Sequence, residues 1–132
     1  MLLIPTIVKK SNIDGYGLFT MHKINKGTPL WKFVDGVDWK IPDDVLDEFP
    51  DNFRQDLVKW SYHTNKNSVD GRWYWVFCQD NAKFMNHHAQ PNCDDWSDPL
   101  NSIAARDIEE GEELTCNYEC FYQNPNGSKQ YF

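Results

Sequence analysis

The stretch FMNHHAQPNC, Phe84–Cys93, sets two adjacent histidines between two asparagines, with a proline and a cysteine close behind. Paired histidines raise the question of a metal site or a hydrolytic dyad. Neighbouring side chains on a strand point to opposite faces, and on a helix they diverge by about 100°, so His87 and His88 are poorly placed to share one ion. Cys93, Cys116, Cys120, Asp94 and Asp95 add ligand types, but no pair has the compact spacing of a structural zinc site. The metal-ligand set read from the sequence is therefore none. A nucleophilic system needs a base oriented by a third group, and here only the residue types are present.

The chain around this stretch has 132 residues, one domain's length, with 20 acidic against 13 basic residues and a formal net charge of -7. That sign disfavours direct binding of nucleic acid and favours basic peptide segments. Aromatic residues make up 15% of the sequence, while the mean hydropathy is -0.71, which is the balance of a soluble folded chain. The opening run MLLIPTIVKK is interrupted by Pro5 and lacks a preceding basic region, so it reads as an entry strand and not a signal peptide. No apolar run approaches the ~20 residues of a membrane span, and an intracellular protein is expected, cytoplasmic or associated with chromatin. The four cysteines, Cys78, Cys93, Cys116 and Cys120, are expected as free, mostly buried thiols.

Short apolar runs punctuated by Gly, Asn and Asp predict a mostly β domain with strands in TIVKKS, GYGLFTM, TPLWKFV, RWYWVFC, NSIAARDI and EELTCNY. Between them the period changes. Leu46, Phe49, Phe53, Leu57 and Trp60 recur at three- and four-residue spacing, which predicts two short helices begun by Pro42 and Pro50, with this stripe packed in the core. The segment DGYGLF, Asp14–Phe19, alone reads as a glycine-bearing turn, and AARDIEEGEELTCNYE, Ala104–Glu119, as a hairpin with an acidic tip at Gly111. The tail NPNGSKQYF ends on two aromatics and is either frayed or folded back as a lid.

In combination and in this order, GYG, KFMNHHAQPN and ARDIEEGEELTCNY resemble the SET-domain protein-lysine methyltransferases. That family's pattern is GxG, then RFxNHSCxPN, then ARxIxxGEELxxDY. Gly15, Gly17, Phe84, Asn86, His87, Pro91, Asn92, Ala105, Arg106, Ile108, Gly111, Glu112, Glu113, Leu114 and Tyr118 match it across roughly residues 6–122. Lys83, His88, Ala89 and Asn117 depart from it, standing where the family has arginine, serine, cysteine and aspartate.

The resemblance implies one SET domain over residues 1–132, a fold of small curved β-sheets with a pseudoknot-like C-terminal segment. It also implies a variable, partly helical insert at about 35–72 that shapes a substrate groove, and a tail at about 119–132. It implies S-adenosylmethionine as cofactor and a lysine-containing protein, in particular a basic segment, as substrate. By the same analogy, Tyr118 is the catalytic tyrosine. The backbone at Gly15, Tyr16 and Gly17 meets the cofactor's methionine end, Asn86 bonds its amino group, and His87 acts chiefly through its backbone. Phe121 and Tyr122, and more weakly Tyr131 and Phe132, are the aromatic candidates for adenine stacking or for the lysine channel. The other reading is a catalytically idle SET-like module that binds cofactor or peptide. Ala89 and the absence of cysteine after Cys120 imply that the family's zinc-binding extension is missing. A chelator is expected to leave the melting temperature unchanged, and tightly held stoichiometric zinc in purified protein would contradict this.

Overall fold

A computed structural model of the chain describes residues 1–118. Its strands are β1 (Thr6–Lys10), β2 (Tyr16–Thr20), β3 (Pro29–Lys32), β4 (Trp39–Pro42), β5 (Ser61–Thr64), β6 (Tyr74–Phe77), β7 (Asn86–His87), β8 (Cys93–Asp94), β9 (Asn101–Ala104) and β10 (Glu113–Cys116). Two helices, α1 (Asp43–Leu46) and α2 (Asp51–Lys59), and a 3-10 turn at Asn81–Phe84 complete the described elements. They form three small sheets, ordered β1-β2-β10-β7, β3-β9-β8 and β4-β6-β5. The expected mostly β architecture is what the residues build.

All six sequence-expected strands are present, each bounded by its turn residues. The β1–β2 hairpin pairs Thr6 with Thr20 through to Lys10 with Tyr16, and its turn closes by Ser11 N–H donating to the Gly15 carbonyl at 2.9 Å. Gly15 takes a φ of +46°, a conformation that side-chain-bearing residues rarely adopt. The last described strand does not extend an edge. β10 enters between β2, with which it pairs antiparallel, and β7, with which it pairs parallel through Thr115–Asn86 and Cys116–His87. Residues thirty and a hundred positions apart in sequence thus share one sheet.

Asn92 fixes that insertion. Its side chain is buried and behaves as an extra peptide unit alongside β10. Nδ2 donates to the Glu113 carbonyl at 2.8 Å, and Oδ1 accepts from Thr115 N–H at 2.8 Å. Its own carbonyl accepts from Ala105 N–H at 2.9 Å. A core of Leu18, Ile24, Leu30, Cys93, Ala104, Ile108 and Leu114 packs beneath these ties.

The middle of the chain differs from the sequence expectation in two ways. Strands β4 and β5, unforeseen there, flank the two helices and pair with opposite edges of β6. Each is four residues long, too short for its period to stand out beside the helical pattern. The helical stripe is also only partly core. Leu46 and Leu57 are buried, but Phe49, Phe53 and Trp60 are about 40% exposed, because Pro50 separates the helices and shifts their faces. Phe49 and Phe53 pack on each other at 5.1 Å, and Trp60 meets Phe84 edge-on at 5.5 Å. Val58, fully buried with Leu46, Leu57 and Trp75, takes the core place. Pro42 and Pro50 stand at the N-cap positions, followed by Asp43 and Asp51, whose charges suit helix N-termini.

Replacing Asn92 by Ala would leave the Glu113 carbonyl and the Thr115 N–H buried without their partner. Urea unfolding is expected to show a loss of about 2–3 kcal/mol with an unchanged slope.

Candidate active site

The site begins with a carboxylate occupying the space of a missing side chain. A Cβ at Gly17 would stand 2.1 Å from Glu113 Oε1, so only glycine admits that carboxylate against β2. Glu113 accepts from Ser11 Oγ at 2.8 Å on both oxygens and from Asn86 Nδ2 at 2.8 Å. Asn86 Nδ2 also lies 3.0 Å from the Asp14 carbonyl and 3.1 Å from that of Tyr16. With Nδ2 so engaged, Oδ1 is the Asn86 atom suited to accept from an amino group. The hairpin turn, β10 and β7 are thereby tied at one point.

Asn86 lines an open groove of about 480 Å³ together with Asp14, Gly15, Tyr16, Lys59, Trp60, Lys83, Phe84 and Tyr118. Of the sequence candidates, Gly15, Tyr16, Asn86 and Tyr118 line this groove directly. Gly17 lies one step behind, against Glu113. His87 reaches the site by its ring as well as its backbone, since its Nδ1 accepts from Tyr118 N–H at 3.1 Å. A backbone N–H only donates, so Nδ1 carries a lone pair and the ring proton lies on Nε2. The His87 and Tyr118 rings stand 5.4 Å apart. His88, just past β7, bonds instead within its own turn at Gln90. Phe121, Tyr122, Tyr131, Phe132, Cys120 and the proposed lid lie outside the described residues.

Tyr118 is anchored at both ends, because its hydroxyl donates to the Met85 carbonyl at 2.6 Å. Beside it lies a second, smaller cavity of about 90 Å³. Its walls include Trp31, Tyr62, Cys78, Met85, Asp95 and Cys116, and it shares Lys59, Trp60, Lys83 and Tyr118 with the groove. Cys78, Cys93 and Cys116 are free and buried. Burial pushes all three thiols up, which keeps them protonated and unreactive at neutral pH. Burial likewise raises Tyr62.

Asp95 is the unusual member of the lining. It is 9% exposed, and burial pushes its carboxyl up from 3.8 to about 6, helped by the charge of Asp94. The Ser102 hydroxyl opposes that shift from outside hydrogen-bonding geometry, and both Asp95 Oδ2 and Ser102 Oγ are buried without a hydrogen-bond partner. The sequence had offered Asp95 only as a metal ligand. Among the described residues no three His, Cys, Asp or Glu come together to hold an ion. Trp60, Phe84, Glu113 and Asp95 are site residues that sequence reasoning passed over. Phe84 and Glu113 lay within the matched motifs, whereas Trp60 was assigned to the core.

In this small β domain the last described strand sits between an N-terminal hairpin and an Asn-His strand, and a groove and a cavity share one tyrosine. The chain belongs to the SET domain family, whose model matches residues 15–119. Among curated proteins it is 29% identical over 119 residues to "Putative histone-lysine N-methyltransferase 1" of Plasmodium falciparum and, at the same identity and length, to "Histone-lysine N-methyltransferase ash1" of Drosophila melanogaster. Each match covers 85% of this chain, which spans about 2% and 5% of those relatives. Among solved structures, an active polycomb repressive complex 2 matches with a TM-score of 0.60 at 22% identity, over 87% of this chain and 15% of that one. A humanized mutant of the Chaetomium thermophilum complex matches at 0.62 and 19%, over 92% and 16%.

The raised Asp95 carboxyl has a defined effect on stability. The folded state holds this proton more tightly than the unfolded chain, so its contribution is fully present below about pH 4 and is lost as pH rises through about 6. At neutral pH the buried charge costs on the order of 3 kcal/mol. Asp95→Asn is expected to be more stable relative to the parent at pH 7.5 than at pH 4, as measured by urea unfolding. An equal difference at both values would contradict the assignment.

Proposed function

We propose that this domain transfers a methyl group from S-adenosylmethionine to the side-chain amine of a lysine in a protein, with Tyr118 positioning the reaction. The observation that carries this reading is that Tyr118 lines both the groove and the smaller cavity. Two reactants, one in each space, would meet beside Tyr118. The family membership and the names of the two curated relatives support the same reaction.

The groove suits the cofactor. Its backbone carbonyls at Asp14 and Tyr16 and the Oδ1 of Asn86 would receive the amino group, and the faces of Tyr16, Trp60 and Phe84 would favour a positively charged sulfur and stack on a base. When bound, S-adenosylmethionine supplies an electrophilic methyl group on that sulfur. The chain's own part is alignment, the main device for an in-line transfer. Tyr118 gives its one hydroxyl hydrogen to the Met85 carbonyl, so toward the amine its oxygen acts as an acceptor. By accepting an amine N–H it would turn the nitrogen lone pair toward the groove. The aromatic and thiol walls exclude water and lower the amine's pKa from its solution value of ~10.4.

The substrate is a basic segment. A net charge of -7, and the exposed Asp44, Asp47, Glu48 and Asp51 of the helical region, favour such a partner and disfavour nucleic acid. The relatives' names make histones the first to try, which would place the protein at chromatin. Among the described residues no helix is long and apolar enough to cross a membrane. The insert at about 35–72, with Trp39, Val45, Phe49 and Phe53 exposed around a groove, would hold residues beside the target lysine.

S-adenosylmethionine and S-adenosylhomocysteine are expected to raise thermal stability by mass action, and Asn86→Ala to weaken both effects. Tyr118→Phe keeps the ring and the fold but loses the bond to Met85. Single-turnover transfer from labelled cofactor to core histones is expected to slow at least tenfold, ~1.4 kcal/mol in the barrier, with cofactor binding intact. A variant as fast as the parent would remove Tyr118 from this role. Cofactor binding without transfer to any protein lysine would favour the idle binding module.

A further inference from the structure

We propose, building on the lysine-methylation reading, that Asp95 in the wall of the cavity receives the incoming lysine ammonium and accepts the proton it must lose before methyl transfer. Three observations converge there. Asp95 Oδ2, Ser102 Oγ and Trp31 Nε1 are three of the four buried side-chain polar atoms left without a hydrogen-bond partner among the described residues. Trp31 and Ser102 are cross-strand partners in the β3–β9 pair, and the Ser102 hydroxyl, as a donor toward Asp95, opposes the rise of its carboxyl. Trp31 and Asp95 both line the cavity.

Buried polar groups are nearly always satisfied, so a cluster of orphans beside a small cavity points to where a polar occupant belongs. Waters fit such a volume and would hydrate the site when substrate is absent. The buried carboxylate asks for more than water. Among the described residues no Lys, Arg or His forms an ion pair with it. The titratable groups around it are Tyr62 on β5, Cys78 after β6, Cys93 and Asp94 on β8, and Cys116 on β10, and none is a cation. Lys59 and Lys83 belong to the wall that the cavity shares with the groove. A cation sliding between the faces of Trp31, Trp60, Tyr62 and Tyr118 would supply the missing charge.

The proton balance is simple. One N–H proton passes from the ammonium to Asp95 Oδ2, and that bond's electron pair stays on nitrogen. The pair then forms the N–C bond as the S–C bond breaks and its electrons return to sulfur. The carboxylic acid gives its proton to water as the methylated product leaves. The transfer is feasible because the same dry surroundings raise the carboxyl and lower the amine, narrowing a gap of ~6 pH units in solution. Asp95 is thus distinct in role from Tyr118, which orients the amine once it is neutral.

The test is single-turnover transfer from labelled S-adenosylmethionine to core histones between pH 6 and pH 10, for the parent and Asp95→Asn, with S-adenosylhomocysteine binding measured alongside. The variant is expected to bind the cofactor product as the parent does and to transfer at least tenfold more slowly near pH 7. The difference should close toward pH 10, where the amine arrives already neutral. A parent that transfers while Asp95→Asn matches it at every pH overturns this inference and leaves the methylation reading standing. A deficit constant across pH also overturns it, since that is the mark of a merely structural role. A parent that transfers to no lysine overturns the methylation reading and this inference with it. If Asp95→Asn does not fold, Asp95→Ser, which leaves room for water, carries the same comparison.

Discussion

Everything in this molecule turns on one carboxylate and one absent side chain. Glu113 reaches into the space that Gly17 leaves empty and takes hydrogen bonds from Ser11 and Asn86. Those four residues belong to a hairpin strand, its turn, the last described strand and the short Asn-His strand, so they meet only if β10 enters between β2 and β7. A half-buried carboxylate without its donors would be unfavourable, which ties this insertion to the contacts at Glu113. Asn92 repeats the device on the other side of β10, with a side-chain amide in place of a backbone strand.

The same ties set the chemistry. Asn86 holds the groove's floor because Glu113 and two carbonyls fix its Nδ2. His87, next along the strand, receives the N–H of Tyr118, and the Met85 carbonyl just before receives its hydroxyl. Three consecutive residues thus position the tyrosine and the groove together, which is the answer to why the histidine lies beside the asparagine. Against these satisfied groups stand Asp95, Ser102 and Trp31, whose unsatisfied polar atoms destabilise the fold.

Much of this was legible in the sequence. The strands showed through their turn residues, and the order of three motifs identified the family and brought Gly15, Tyr16, Asn86 and Tyr118 to one groove. The rest depended on contacts that sequence spacing does not carry. Phe49, Phe53 and Trp60 keep a helical period, yet Pro50 rotates them out of the core. β4 and β5 arise because β6 offers two open edges, a tertiary fact. The role of the His87 ring depends on where Tyr118 N–H comes to lie, thirty-one residues on. Asp95 reads as one of two adjacent acids, and only the fold turns it inward while Asp94 caps its own turn at Trp96 and Ser97.

In the proposed reaction a methyl donor reaches Tyr118 through the groove and a lysine through the cavity. A crystal structure with S-adenosylhomocysteine tests it most directly. The account expects the ligand in the groove of Asp14, Asn86 and Phe84, its amino group at Asn86 Oδ1 and its sulfur facing Tyr118. The ligand lodged instead in the rival groove of about 510 Å³ beside Lys26, Pro91 and Trp96, with Asn86 and Tyr118 untouched, would contradict it.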